Sequence, residues 1–307
     1  MTSTAGESLT PGHEVSTPRP GVWLTDLGLL GMATIWGVNY SVVKYGATLL
    51  GPLAYNGFRL TIASIALLVV ARAMREPMPS RRVALALLGL GVIGNGAYQY
   101  FFIEGIARTR AADAALIASA SPVMMALIGQ ARGTEHVPAK RFAGIALSIA
   151  GIALVVTGSQ HDAAGTSSIA GDLLVLTGSL CWAVYAVLLK PFTHDVSGIR
   201  LSALTMVGGT IPLVAVAAPS LIHAPWTSVP ATVWFAALYS SLGALVIAYL
   251  LWYRGLRVLG PTRAAIYGNL QPVIALLVAW ALLSEVPTVW QVGGTACIMS
   301  GLLVTRA

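Results

Sequence analysis

Within the stretch TIWGVNYSVVK (Thr34–Lys44), Trp36, Asn39 and Tyr40 share one face of a helix, inside an apolar run long enough to cross a bilayer. Lipid solvates their polar tips poorly. Similar faces recur along the chain. The third apolar run carries Asn95, Tyr98, Gln99 and Phe102, and the fourth carries Ser119 and Ser121 beside Met124. The sixth has Trp182 and Tyr185, the eighth Tyr239, Ser240 and Trp252, and the ninth Tyr267 and Gln271 with Asn269 close by. Any one of these has a plainer reading. An aromatic near a helix end anchors at the interface, and a mid-span amide bridges two helices for on the order of 1 kcal/mol. Six helices bearing such faces predict a cavity with aromatic walls and hydrogen-bonding tips. The candidate substrate-binding set is Trp36, Asn39, Tyr40, Asn95, Tyr98, Gln99, Ser121, Trp182, Tyr185, Tyr239, Tyr267 and Gln271. Trp36, Tyr98, Trp182, Tyr239 and Tyr267 would contact a ring. Asn39, Asn95, Gln99, Ser121 and Gln271 would hold amino and carboxylate ends.

Other chemistries lack their residues. There is no G-x-x-x-x-G-K-[ST] phosphate loop, no Ser/His/Asp constellation and no metal-ligand spacing, so no catalytic residue, metal or cofactor is expected. Cys181 and Cys297 both lie in apolar runs and read as packing residues, and the five His fall in the tail or loops. No acid sits clearly at mid-membrane depth, where a cation pump would need one. The expected cargo is therefore small, neutral or zwitterionic, and partly apolar. Arg59, inside the second run, is either a functional charge or one that snorkels outward or bonds freed carbonyls. Lys44 and Lys190, at equivalent run ends, snorkel or meet a carboxylate. Glu135 and Glu285 cap or pair locally.

The elements that must position these residues are all helices. The chain has 307 residues, 56% hydrophobic and 9% charged, with mean hydropathy +0.78. A soluble protein carries about 25% charged residues. Ten apolar runs span roughly 25–45, 52–73, 83–104, 111–131, 140–157, 171–190, 200–218, 232–253, 262–283 and 288–305. They are too long and unbroken for barrel strands, and backbone hydrogen bonding in lipid then requires helices. The fold class is all-α integral membrane: ten transmembrane helices in two inverted five-helix repeats. The repeat is visible without gaps at an offset of 150: Pro122 meets Pro272, Glu135 meets Glu285, and Gly144 and Gly151 meet Gly294 and Gly301. Because five is odd, the second half enters from the opposite side.

The expected organisation is a disordered cytoplasmic tail (1–22), a first repeat (23–157), a linker loop (158–170) and a second repeat (171–307). The net charge of +7 follows the positive-inside pattern. It implies both termini in the cytoplasm and a bacterial-type inner membrane, and not nucleic-acid binding. The lipid bilayer and a small-molecule substrate are the expected partners, and a monomer the expected state. Pro122 and Pro272, near the middle of the fourth and ninth spans, and Gly268 beside one of them, are candidate hinges.

The motifs TIWGVNYSVVK, PLAYNGFRL, GTEHV…FAGIALSIAGIALVV and LSEVPTVWQVGGTACIMSGLLV resemble the drug/metabolite transporter superfamily, EamA type, over nearly all of residues 25–305. The whole chain is similar to bacterial aromatic amino-acid exporters of the YddG type. That resemblance implies ten helices, cytoplasmic ends, and a pathway lined mainly by spans one, three, four, six, eight and nine that works by alternating access. It also implies export of aromatic and other large neutral amino acids. Arg59 and the two Glu match common family positions, which favours a structural role for them. Export of drugs or other metabolites, and a non-transporting binding or scaffold protein, are the alternatives.

Overall fold

The structure, a computed structural model, describes residues 22–133, 139–159 and 167–306. The tail, Glu135 and most of the linker loop lie outside the described residues. In chain order the helices are α1 Val22–Leu50, α2 Pro52–Ala73, α3 Arg81–Ile106, α4 Ala111–Ala131, α5 Ala139–Ser159, α6 Ile169–Leu189 and α7 Gly198–His223. Then come α8, which passes from Ala231–Leu238 through Tyr239–Ile247 to Ala248–Gly268, α9 Leu270–Leu283 and α10 Val289–Arg306. Six of them, α2, α3, α4, α6, α7 and α8, are long and apolar enough to cross a membrane, and α5 and α9 contain shorter apolar helices. Their outward faces carry side chains that water would not tolerate in such number, among them Ile211 at 65% exposure, Phe235 at 71% and Ile222 at 75%.

Packing follows the repeat. α1 lies on α8 and α9, and its counterpart α6 lies on α3 and α4. α2 packs on its own counterpart α7, and α5 on α10. Each helix thus finds its main neighbours in the other half, as a pseudo-twofold axis between inverted repeats requires.

Glycines let α5 and α10, and likewise α3 and α7, approach backbone to backbone. A Cβ on Gly151 would stand 2.8 Å from the carbonyl oxygen of Gly294, and one on Gly294 would stand 2.9 Å from that of Gly151. The glycines matched at the 150-residue offset therefore close the α5–α10 seam. Between α3 and α7, Gly91 faces the backbone of Thr205, Gly208 that of Leu88, and Gly209 that of Asn95 and Gly96. Small residues at such contacts are how helices associate where no hydrophobic drive exists.

Three features depart from the sequence expectation. First, α3 and α8 contain wide-turn π segments, Val92–Ala97 and Tyr239–Ile247. They fall at equivalent places in the two repeats, since 92 and 97 map onto 242 and 247 at the 150-residue offset. Second, no joint separates the eighth and ninth runs at 254–261. The helix continues to Gly268 and breaks only at Asn269. The first half stops at its equivalent joint because Arg110 is extended, φ −71° and ψ 146°. Third, α5 runs through Ser159, past the expected start of the linker at 158.

Just before Pro122 the helix is interrupted by a turn at Ser119–Ala120. Proline cannot donate to Ala118, and the Ser121 hydroxyl donates to that carbonyl instead at 2.6 Å. Ser119 likewise donates to Leu116 at 2.6 Å. In the second half the break at Asn269 lies three residues before Pro272.

Candidate functional site

The central feature is Arg59, on α2 and 1% exposed. Its Nε donates to Asn56 Oδ1 at 2.7 Å, its Nη1 to Ser240 Oγ at 2.7 Å, and its Nη2 to Gln99 Oε1. The hub extends on both sides. Asn56 Nδ2 donates to the Gln99 carbonyl at 2.9 Å, and Ser240 Oγ donates to Asn39 Oδ1 at 2.8 Å. Helices α2 and α3 of the first half and α8 of the second thus meet on one guanidinium, with α1 joined through Ser240. Neither snorkelling nor bonding to freed carbonyls describes it. Arg59 is fully withdrawn, because side-chain oxygens from three helices replace the water it would otherwise need.

The π segment of α8 supplies the rest of the seam with α1. Wide turns alter the carbonyl register, and Trp36 Nε1 donates to Ala244 O at 2.9 Å. Tyr239 returns the contact, its hydroxyl donating to Ile35 O at 3.0 Å. Replacing Trp36 by Phe keeps an aromatic ring, smaller than the indole, and deletes the first bond. The expected cost is about 1 kcal/mol, read as a small fall in the thermal midpoint of detergent-purified protein; a loss as large as that of Trp36→Ala would remove this role of the bond.

Aromatic rings from both halves converge beside the hub. Trp36 meets Tyr249 edge-on at 5.8 Å, and Trp182 meets the same Tyr249 at 6.1 Å. Trp182 also packs on Tyr98 at 5.3 Å and on Tyr185 at 5.2 Å. Tyr98 and Tyr40 both contact Phe102 at 5.7 Å. The aromatic faces anticipated from sequence do meet, but ring against ring. The first helix faces the polar and aromatic edge of α8 directly in this conformation.

The remaining candidates separate. Tyr185 is 1% exposed and donates to Thr205 Oγ1 at 3.2 Å. Asn95 is fully buried on the π segment of α3 beside the Tyr185 hydroxyl, with no well-formed hydrogen bond at either of its polar atoms. Ser121 is spent on the α4 break. Tyr267 donates to Asp26 Oδ1 at 2.8 Å near the start of α1, and packs with Trp36 and Trp252 against Leu29, Met32, Ala33 and Ala248. Gln271 is half-buried, with its carbonyl 3.1 Å from where a Cβ of Gly37 would stand.

A second polar cluster joins the halves where α1 ends and α4 begins. Lys44 Nζ lies 3.0 Å from Glu285 Oε1 and donates to Thr109 O at 2.6 Å. Glu285, 8% exposed, also accepts from the backbone N–H groups of Ala111 at 3.2 Å and Ala112 at 3.4 Å, the first turn of α4. Arg110 donates to Val286 O at 2.5 Å, and Gln291 to Asp113 Oδ1 at 2.8 Å. Ser167 donates to Asp113 Oδ2 at 3.1 Å, and Thr109 to Asp172 Oδ1 at 2.5 Å. Lys44 and Glu285 are therefore partners across the halves, and neither Lys44 snorkelling nor a purely local Glu285 contact describes them. Beside the pair lies a cleft of about 360 Å³ lined by Lys44, Tyr45, Thr48, Leu49, Leu283 and Glu285.

Sequence reasoning missed Asp113, Asp172 and Gln291 as partners, and Tyr249 as the ring linking both tryptophans. The usable signal for Tyr249 is its register: it is the 150-residue counterpart of Gln99. Among the described residues no group of three or more His, Cys, Asp or Glu could hold a metal.

Two inverted five-helix repeats joined across a polar and aromatic seam define a multi-pass membrane transporter. The chain belongs to the EamA-like transporter family, whose model matches residues 23–157 and 169–307, once in each half. It is similar to "Uncharacterized transporter YyaM" of Bacillus subtilis (strain 168), 27% identical over 90% of this chain and 91% of that one. It is 28% identical to a "Probable terminal-alkyne amino-acid exporter" of Streptantibioticus cattleyicolor over 88% of this chain and 90% of that one. A "Probable amino-acid metabolite efflux pump" of Salmonella typhimurium (strain LT2) is also 28% identical, over 89% of this chain and 91% of its own length.

Proposed function

We propose that this protein is an exporter of amino acids, favouring aromatic and other large neutral ones, that works by alternating access. It resides in a bacterial-type inner membrane with both termini in the cytoplasm, its two repeats bounded near residues 157 and 171. The observation that carries the reading is the ring chain Trp36–Tyr249–Trp182–Tyr98, contributed by both halves and set beside amide and hydroxyl groups. A flat aromatic side chain can insert among such rings, exchanging one stacking partner for another at little cost. The inverted packing lets the seam open on either side. The names of two relatives, an amino-acid exporter and an amino-acid metabolite efflux pump, support export of this class of solute.

The test is counterflow of labelled Phe and Trp in proteoliposomes. Saturable flux is expected, competed by unlabelled aromatic amino acids and poorly by cationic dyes. Trp182→Ala, which removes the ring shared by Tyr98, Tyr185 and Tyr249, should lower that flux at least about tenfold. Absence of saturable flux for any amino acid would sink the reading. Flux competed equally by dyes would favour a drug or general metabolite exporter.

A further inference from the structure

We propose that Arg59 receives the carboxylate of the cargo, so that the transporter selects solutes by an anionic end as well as by a ring. The inference rests on the export reading above and assigns the polar half of the cargo to a residue outside the candidate set. Three observations carry it.

The first is charge. An arginine stays protonated, and a charge withdrawn from water costs several kcal/mol unless it is paired. Arg59 is 1% exposed, and its three side-chain partners, Asn56, Gln99 and Ser240, are all neutral. Among the described residues the ion pairs are Lys44–Glu285 and Arg108–Glu104, and neither involves Arg59.

The second is donor geometry. Only one N–H of each terminal nitrogen is used by these contacts, whereas a guanidinium offers five N–H groups in a planar fork. That fork matches the two oxygens of a carboxylate. The amide oxygens of Asn56 and Gln99 occupy the acceptor positions as neutral stand-ins.

The third is the ring wall. Tyr98, next to Gln99 in sequence, packs at a tilt on Trp182, so α3 carries both a member of the hub and a member of the aromatic wall. One guanidinium balances a monoanion, which favours a carboxylate over a phosphate dianion.

The test uses purified full-length protein with phenylalanine, phenylalaninamide and phenethylamine, read by ligand-induced thermal shift and by counterflow. Phenylalanine should bind and exchange, and the two ligands lacking a carboxylate should be weaker by at least about tenfold. Gln99→Glu places an internal counter-ion on Arg59. It should fold, with an unchanged or raised thermal midpoint, yet lose phenylalanine binding at least about tenfold. Arg59→Lys keeps the charge without the fork and should fall between. Equal recognition of acid, amide and amine by the wild type would overturn this inference and leave export standing. So would a folded Gln99→Glu protein that exchanges phenylalanine normally. Absence of saturable exchange for all three ligands would overturn the export reading as well.

Discussion

Glu285→Gln is expected to loosen the end of the molecule at which α1 meets the start of α4. Glu285 is nearly buried and serves two roles there: it pairs with Lys44 at 3.0 Å and accepts from Ala111 and Ala112 at the positive end of α4. The backbone is built to present it. Ser284 holds a left-handed conformation, φ 56°, which closes α9 with Glu285 N–H bonding Ala279 O at 3.2 Å. Such a conformation costs a non-glycine residue about 1–2 kcal/mol, a cost tolerated where the residue that follows has a task. Removing the carboxylate leaves the half-buried Lys44 ammonium, 17% exposed, without its counter-ion, worth about 1–3 kcal/mol.

The readout is a cysteine at position 41, one turn before Lys44 and 1% exposed in the wild type, in a background with Cys181 and Cys297 replaced by Ala. Glu285→Gln should raise its labelling by a membrane-impermeant thiol reagent at least about tenfold and lower the thermal midpoint. Lys44→Met combined with Glu285→Gln should recover part of the midpoint, since no uncompensated charge remains. Unchanged labelling and midpoint in Glu285→Gln would remove the pair from any role in holding this end shut.

The larger stability effect is expected at Gly209. An added Cβ there would fall 2.5 Å from the carbonyl oxygen of Gly91 and 2.5 Å from the nitrogen of Gly96. These are backbone atoms of a helix that cannot rotate aside as a side chain could. Gly209→Ala must therefore push α7 off α3, next to the π segment that carries Asn95. The expected cost is at least about 3 kcal/mol, at the upper end of overpacking effects, seen as loss of monodisperse protein. Gly89→Ala is the control. Nothing lies within 4 Å of its Cβ position, so the change should be neutral or stabilising by up to about 1 kcal/mol. Similar behaviour of the two variants would show that backbone contact is not what holds α3 to α7.

Much of this architecture is readable from the chain because lipid leaves the backbone little choice. Apolar runs of about 20 residues must be helices, and the matched prolines and glycines at one offset report the duplication. Pro122 announces the break in α4 since its missing N–H cannot be hidden, and Gly151 and Gly294 mark the α5–α10 seam because only a glycine permits that approach. The π segments carry no such mark. VIGNGA and YSSLGALVI hold no residue that specifies a wide turn over a regular one.

The sequence alone determined the helical class, the two-fold repeat and the stock of rings, amides and embedded charges, because each depends on local composition and on a solvent that forbids open backbone. Tertiary structure decided which of them meet. Arg59 finds three neutral acceptors, Lys44 finds Glu285, and Tyr267 finds Asp26. Those choices depend on side chains reaching across helices far apart in the chain, and a list of residues along one strand of sequence contains no distance between them.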